Sequence, residues 1–148
     1  MPKFSKLFLF PDVNVWLALT WEGHERHEVA RMWFQGLDAT DRLGFCRFTQ
    51  ISLLRLLTTR VVMSDDTMTQ AEAWSAYDRW FHDDRVLFLN EPPNAEIGFR
   101  AMSDRSHPDA KLWADAYLAA FANSEEMRLV TFDRALVDSV DHPFLLEP

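Results

Sequence analysis

The stretch Leu7-Phe8-Leu9-Phe10-Pro11-Asp12 is apolar at every position until it ends on a carboxylate. A strand with one face in water alternates polar and apolar residues; a strand covered on both faces does not. The run therefore predicts a strand inside a parallel sheet, with helices on either side. Leu43-Gly44-Phe45-Cys46 and Val86 to Leu89 also lack alternation, and Met127 to Thr131 reads as a fourth strand. Helical segments separate these runs. Strands alternating with helices imply an α/β chain of three layers, α/β/α, around a central, mostly parallel sheet of four to five strands. Phe144-Leu145-Leu146 is the candidate fifth strand, at an edge.

The intervening helices can be placed from their patterns. Val15 to Thr20 reads as a short helix capped by Asn14, whose side-chain oxygen can accept a free backbone N–H. His24 to Gly36 follows, with Val29, Met32, Trp33 and Leu37 on one side and Gly36 as its stop. A third helix spans about Thr49 to Thr59, and Gln50, Leu53, Leu54, Leu57 and Val61 share one face. Gln50 is thus a polar residue in line with a buried face. Thr67 and Gln70 suggest a capping box opening a helix to about Phe81. A modest helix covers Asn94 to Met102. Ser106-His107-Pro108-Asp109 predicts the start of a long helix reaching Asn123, with Ala110, Trp113, Ala114, Tyr117, Leu118 and Phe121 as its apolar stripe. Asp133 can cap a last short helix, Arg134 to Asp138.

With 148 residues the chain is read as one domain, 1–148, without repeat or linker. No apolar run approaches a membrane span, and residues 1–6 lack the apolar core of a signal peptide. Cys46 is the only cysteine, which excludes an internal disulfide and points to a reducing, cytoplasmic setting. The net charge of −8 gives no broad field to attract nucleic acid. Such an excess is expected, however, where carboxylates gather around a divalent cation.

Asp12 and Asp133 each follow an apolar strand at its C-terminal end, and in a parallel sheet both face one edge. Ligands in open α/β sheets bind at that edge. Asp115 can be placed by length. From Asp115 to Asn123 a helix rises roughly 12 Å, and from Met127 to Thr131 a strand runs roughly 13 Å. The two are antiparallel and joined by a tight turn, so Asp115 returns near the top of the strand that delivers Asp133. Three converging carboxylates repel one another unless a cation sits among them, and oxygen ligands suit Mg²⁺ or Mn²⁺. Each residue also has a simpler use. Asp12 and Asn14 can shape a turn, Asp133 can cap a helix, and Asp115 can pair with Lys111 one turn back. His24 and His27 are three apart, where a zinc-protease motif needs four, and read as surface or helix-start residues.

Asp12-Val13-Asn14 after a strand, Asp115-Ala116-Tyr117-Leu118-Ala119-Ala120 on a helix and Thr131-Phe132-Asp133-Arg134 after a strand resemble the PIN-domain ribonucleases, in particular the VapC-type toxins of bacterial toxin–antitoxin pairs. The resemblance covers almost the whole chain. It implies a PIN-like fold, RNA hydrolysis with Mg²⁺ or Mn²⁺, a homodimer, and silencing by a cognate antitoxin protein. Carried over by position, Asp12, Asp115 and Asp133 are the catalytic metal ligands, supported by Asn14, Gln50 and Thr131. The chain departs from the family pattern twice: Val13 stands where threonine is usual, and Gln50 where the family places a glutamate.

Two alternatives stay open at this level. In a haloacid-dehalogenase-like phosphatase Asp12 would be a covalent nucleophile, with Asp133 and Asp138 as the late acidic element and Arg128 as the candidate phosphate-binding cation. In a catalytically weakened PIN domain, Gln50 would mark a chain that binds RNA or a protein partner without cutting.

Overall fold

The computed structural model describes residues 6–147; residues 1–5, part of the opening read above as lacking a signal-peptide core, and residue 148 lie outside it. In chain order the elements are β1 (Leu9–Pro11), α1 (Val13–Thr20), α2 (His27–Gln35), β2 (Leu43–Phe45), α3 (Arg47–Leu57), α4 (Arg60–Met63), a 3-10 turn (Ser64–Asp66), α5 (Gln70–Trp80), β3 (Val86–Phe88), α6 (Ala95–Ser103), α7 (Leu112–Ser124), β4 (Arg128–Thr131), α8 (Arg134–Val137) and β5 (Pro143–Leu145). The sheet has five strands in the order β3-β2-β1-β4-β5, and every pairing is parallel. The chain leaves β1 toward β2 and β3, then returns to place β4 on the other side of β1. The strand order thus reverses between β1 and β4, where Pro11 is in register with Val130.

Both faces of the sheet are covered, which explains the missing alternation. Leu9, Leu43, Phe45 and Val130 join the core formed with α1, α2, α3 and α5, while Phe10 and Leu129 join a second core with α7 and α8. An aromatic pair marks each side. Trp16 stacks on Phe45 at a centroid distance of 3.9 Å, and Phe10 stacks on Phe121 at 4.8 Å. Gly44 lies at the centre of β2, and a Cβ there would meet Leu89 at 2.7 Å, so the glycine lets the segment after β3 close over the strand. No described helix is long and apolar enough to cross a membrane.

Several local expectations need correction. Asp12, not Asn14, caps α1, so the helix begins at Val13 and Asn14 is exposed. The capping box of α5 is Thr69 with Glu72, not Thr67 with Gln70; the Thr69 hydroxyl accepts from the Glu72 N–H and the Glu72 carboxylate accepts from the Thr69 N–H. α3 ends at Leu57, and the break at Thr58 puts Val61 on α4, where it is 94% exposed rather than part of the α3 face. β3 lies at the edge of the sheet, which leaves Leu87 and Phe88 exposed. α7 starts at Leu112, because Asp109 accepts the Leu112 N–H in a turn instead of opening the helix. From Ala116 onward α7 is buried on most sides, since α6 packs against it away from the sheet. Its apolar stripe therefore runs through Ala116, Leu118 to Ala120, Phe121 and Ala122, while Trp113 stands in solvent.

Candidate active site

The strand order reverses between β1 and β4, and doubly wound sheets hold ligands above the C-terminal ends of the strands at such a reversal. Asp12 lies there. Its backbone N–H continues the sheet, donating to the Val130 carbonyl at 3.0 Å. The start of α1 then fixes its side chain: Oδ1 accepts from the Asn14 N–H at 3.0 Å and the Val15 N–H at 3.2 Å. Oδ2 accepts from the Thr131 hydroxyl at the end of β4. A carboxylate offers about four lone-pair positions, so three are used and one on Oδ2 remains. Although a cap is usually a surface residue, Asp12 is only 5% exposed. Burial pushes its carboxyl up to about 6, against the pull of its three hydrogen bonds, and the neighbouring Asp133 charge pushes the same way.

Thr131 ties the two strands together. It is fully buried, donates to Asp12 and accepts the Asp133 N–H at 3.0 Å. Asp133 caps α8 by accepting the Ala135 N–H on Oδ1 at 2.9 Å, the simple use foreseen for it. Asp115 lies in the first turn of α7, half-buried. Its carboxyl is raised, first by burial and then by repulsion from Asp133, while Lys111 pulls it down. Lys111 does not approach within ion-pairing distance of it among the described residues. Asp133 is thus the charge that both Asp12 and Asp115 feel, and the placement of Asp115 by helix and strand length agrees with this. No three acidic, histidine or cysteine side chains among the described residues stand at ion-holding separation.

Gln50 is buried at the first turn of α3, as its place on the apolar face predicts. Its amide oxygen accepts from Arg47 Nη1 at 2.6 Å. This partner does not belong to the aspartate group. Sequence reasoning missed one cation near the site: the Arg26 guanidinium lies 4.9 Å above the Phe132 ring, beside Asp133. No local pattern joins Arg26 to Phe132; only the fold does. The cation required by the phosphatase alternative is in the wrong place. Arg128 opens β4, at the opposite end from Thr131, and donates to the Pro143 carbonyl.

The sequence model of the PIN domain matches residues 9–142, which include all three aspartates. The chain belongs to the PIN-domain family. Ribonuclease VapC41 of Mycobacterium tuberculosis is 44% identical to this PIN domain over 131 residues, covering 86% of the chain and 90% of that protein. That likeness puts the chain among the VapC-type members. Solved structures share the fold at low identity. M. tuberculosis VapC20, described as a toxin that cleaves the sarcin-ricin loop, superposes with a TM-score of 0.67 at 16% identity, over 88% of this chain and 94% of that one. VapBC2 of Rickettsia felis, solved on a DNA fragment from its promoter, gives a TM-score of 0.68 at 9% identity over 95% and 100%. In this PIN domain Asp12 and Asp133 follow the C-terminal ends of β1 and β4, and Asp115 stands in the first turn of α7.

Proposed function

We propose that this PIN domain is an endoribonuclease toxin that hydrolyses RNA phosphodiesters with Mg²⁺ or Mn²⁺ held by Asp12, Asp115 and Asp133. The observation that carries this reading is Asp12: a carboxylate buried at the strand crossover, raised by burial, and facing a second carboxylate. Neither a turn nor a helix cap needs a buried carboxylate that feels a second one, whereas a divalent cation removes the repulsion. The donor set fits such a cation, since all three groups offer hard oxygen ligands. Each has room to bind: one lone pair on Asp12 Oδ2, Oδ2 of Asp133, and the Asp115 carboxylate, which accepts no hydrogen bond among the described residues. When bound, the ion activates water and offsets charge on the phosphate under attack.

The protein's own residues supply position. The α1 backbone and Thr131 lock Asp12, so its free lone pair points in one direction. Asp115 comes from a separate helix and completes the set from the side. Water is the nucleophile, so the protein forms no covalent intermediate. Cys46 does not compete for that role, because it is buried at the start of α3 and burial pushes its thiol up. The same reading includes a homodimer and an antitoxin protein that covers the acidic edge, where a basic side chain would find three carboxylates.

The test is cleavage of a structured RNA by pure protein with Mg²⁺ or Mn²⁺, repeated with EDTA and with Asp115→Asn. Cleavage should require the metal and vanish in the variant, with the fold intact by circular dichroism. Cleavage by Asp115→Asn at the wild-type rate would overturn the site as drawn.

A further inference from the structure

A second feature lies at the same edge of the sheet. Between α6 and the first turn of α7 is a cleft of about 380 Å³, lined by Phe99, Trp113 and Tyr117 with Glu91, Glu96 and Arg100 at its rim. The volume lies within the ~300–1,000 Å³ range of small-ligand clefts. Its aromatic walls are ordered against one another: Phe99 meets Trp113 edge-on at 6.1 Å and Tyr117 at 5.6 Å. Yet Trp113 is 59% exposed. An indole left in solvent on an otherwise well-packed helix is a surface without a partner. Tyr117 ties the cleft to the sheet edge, because its hydroxyl donates to Glu91 after β3 at 2.7 Å and its ring packs on Phe48 after β2. Trp113 and Asp115 belong to the same turn of α7, on different sides of it.

We infer that this cleft is a nucleobase subsite, which takes an unpaired RNA base close to the cut and rejects uracil. The inference rests on the proposed RNA hydrolysis. The chemistry of the lining selects the occupant. Flat aromatic walls suit the face of a base, on which stacking is the usual contact for single-stranded RNA. The rim repels a phosphate: it carries two carboxylates, and its one cation, Arg100, is paired with Glu96. The RNA backbone therefore runs past the cleft toward the metal site while a base turns in. Glu91 accepts from Tyr117 through Oε1 and keeps further lone pairs for a donor on the base. Cytosine, adenine and guanine present an exocyclic amine to such a carboxylate. Uracil presents two carbonyl oxygens around its single N–H, which the carboxylate repels.

The experiment is cleavage of a randomised single-stranded RNA pool with Mn²⁺, with the new ends sequenced. Wild-type protein should show uracil depleted at one position near the cut. Trp113→Ala should flatten that preference and raise KM about ten-fold while keeping most of kcat; Trp113→Phe should restore part of both. Glu91→Gln should admit uracil without the change in KM. Thermal melts should match wild type, because Trp113 lies outside both cores. An unchanged base pattern in Trp113→Ala and Glu91→Gln overturns the subsite. So does a Trp113→Ala protein that loses a co-purifying protein but cuts with the wild-type pattern, since the face would then serve a protein partner. If wild type cuts no RNA in the pool, the hydrolysis reading itself fails and the subsite falls with it.

Discussion

The Thr131 hydroxyl donates to Asp12 across the junction of β4 and β1, and at the same atom accepts the Asp133 N–H. One buried oxygen therefore sets the positions of two carboxylates that come from opposite ends of the chain. Thr131→Val keeps the shape and removes both bonds. It should lower stability in urea by ~1–3 kcal/mol, the usual effect of stranding buried polar groups. It should also raise the Asp12 carboxyl further, because Thr131 is the strongest of the groups holding it down. Thr131→Ser should recover most of the stability. A valine variant as stable as wild type would show that the bond contributes nothing.

Asp12 gives the metal-free protein a definite dependence on pH. Its folded carboxyl sits at about 6, above the ordinary value near 3.8, so the folded state holds the proton more tightly than the unfolded state. The contribution of this group is therefore full below about pH 4 and is lost as pH rises through about 6. The loss is on the order of 3 kcal/mol for a shift of this size. Asp12→Asn should flatten the curve between pH 4 and 6 and be more stable than wild type at pH 7 in EDTA. Parallel pH–stability curves for the two proteins would contradict the burial of this charge.

Metal should act on stability through all three aspartates together. A cation that binds only the folded protein stabilises it by about 2.7 kcal/mol at one hundred times its Kd. Thermal melts should therefore rise with Mn²⁺ in wild type and stay flat in Asp12→Asn, Asp115→Asn and Asp133→Asn. A Mn²⁺ shift that survives in Asp115→Asn would remove Asp115 from the ligand set.

Gln50 offers a double-mutant test. Adding an unpaired carboxylate at a buried position such as residue 50 should destabilise the protein. Here Arg47 stands 2.6 Å from the Gln50 oxygen, so a glutamate would meet a guanidinium at once. Gln50→Glu alone should leave the melting temperature in EDTA near wild type. Combined with Arg47→Ala it should fall below either single variant. Additive effects would show that Arg47 does not answer the new charge. Tighter Mn²⁺ binding by Gln50→Glu, read by calorimetry, would place residue 50 within reach of the metal; unchanged binding would place it outside.

Much of this arrangement was legible in the chain. Runs without alternation report burial on both faces, so β1 and β2 could be read directly. Strand ends carry Asp12 and Asp133 to one edge by the geometry of parallel sheets alone. What escaped was set by partners far away in sequence. Trp113 looked like part of an apolar stripe because its spacing from Tyr117 is helical, but it stands in the first turn of α7, ahead of the buried run that starts at Ala116, and its indole is left in solvent. Asn14 and Asp12 are equally good caps by residue type, and only the bond from Thr131 shows why the chain uses Asp12 for both purposes. The three aromatic–arginine pairs, Arg26 with Phe132, Arg47 with Phe88 and Arg85 with Phe34, join segments with no local signature.

On the proposed reading, the order of the strands also decides when a growing chain can first act on RNA. β1 and Asp12 are synthesised first, yet their neighbour β4 comes next to last among the strands. Until Thr131 and Asp133 have emerged and docked, Asp12 lacks its buried clamp and one of its two proposed fellow ligands. On the proposed reading, a partly made chain can fold its first helices and still be unable to cut the messenger that encodes it.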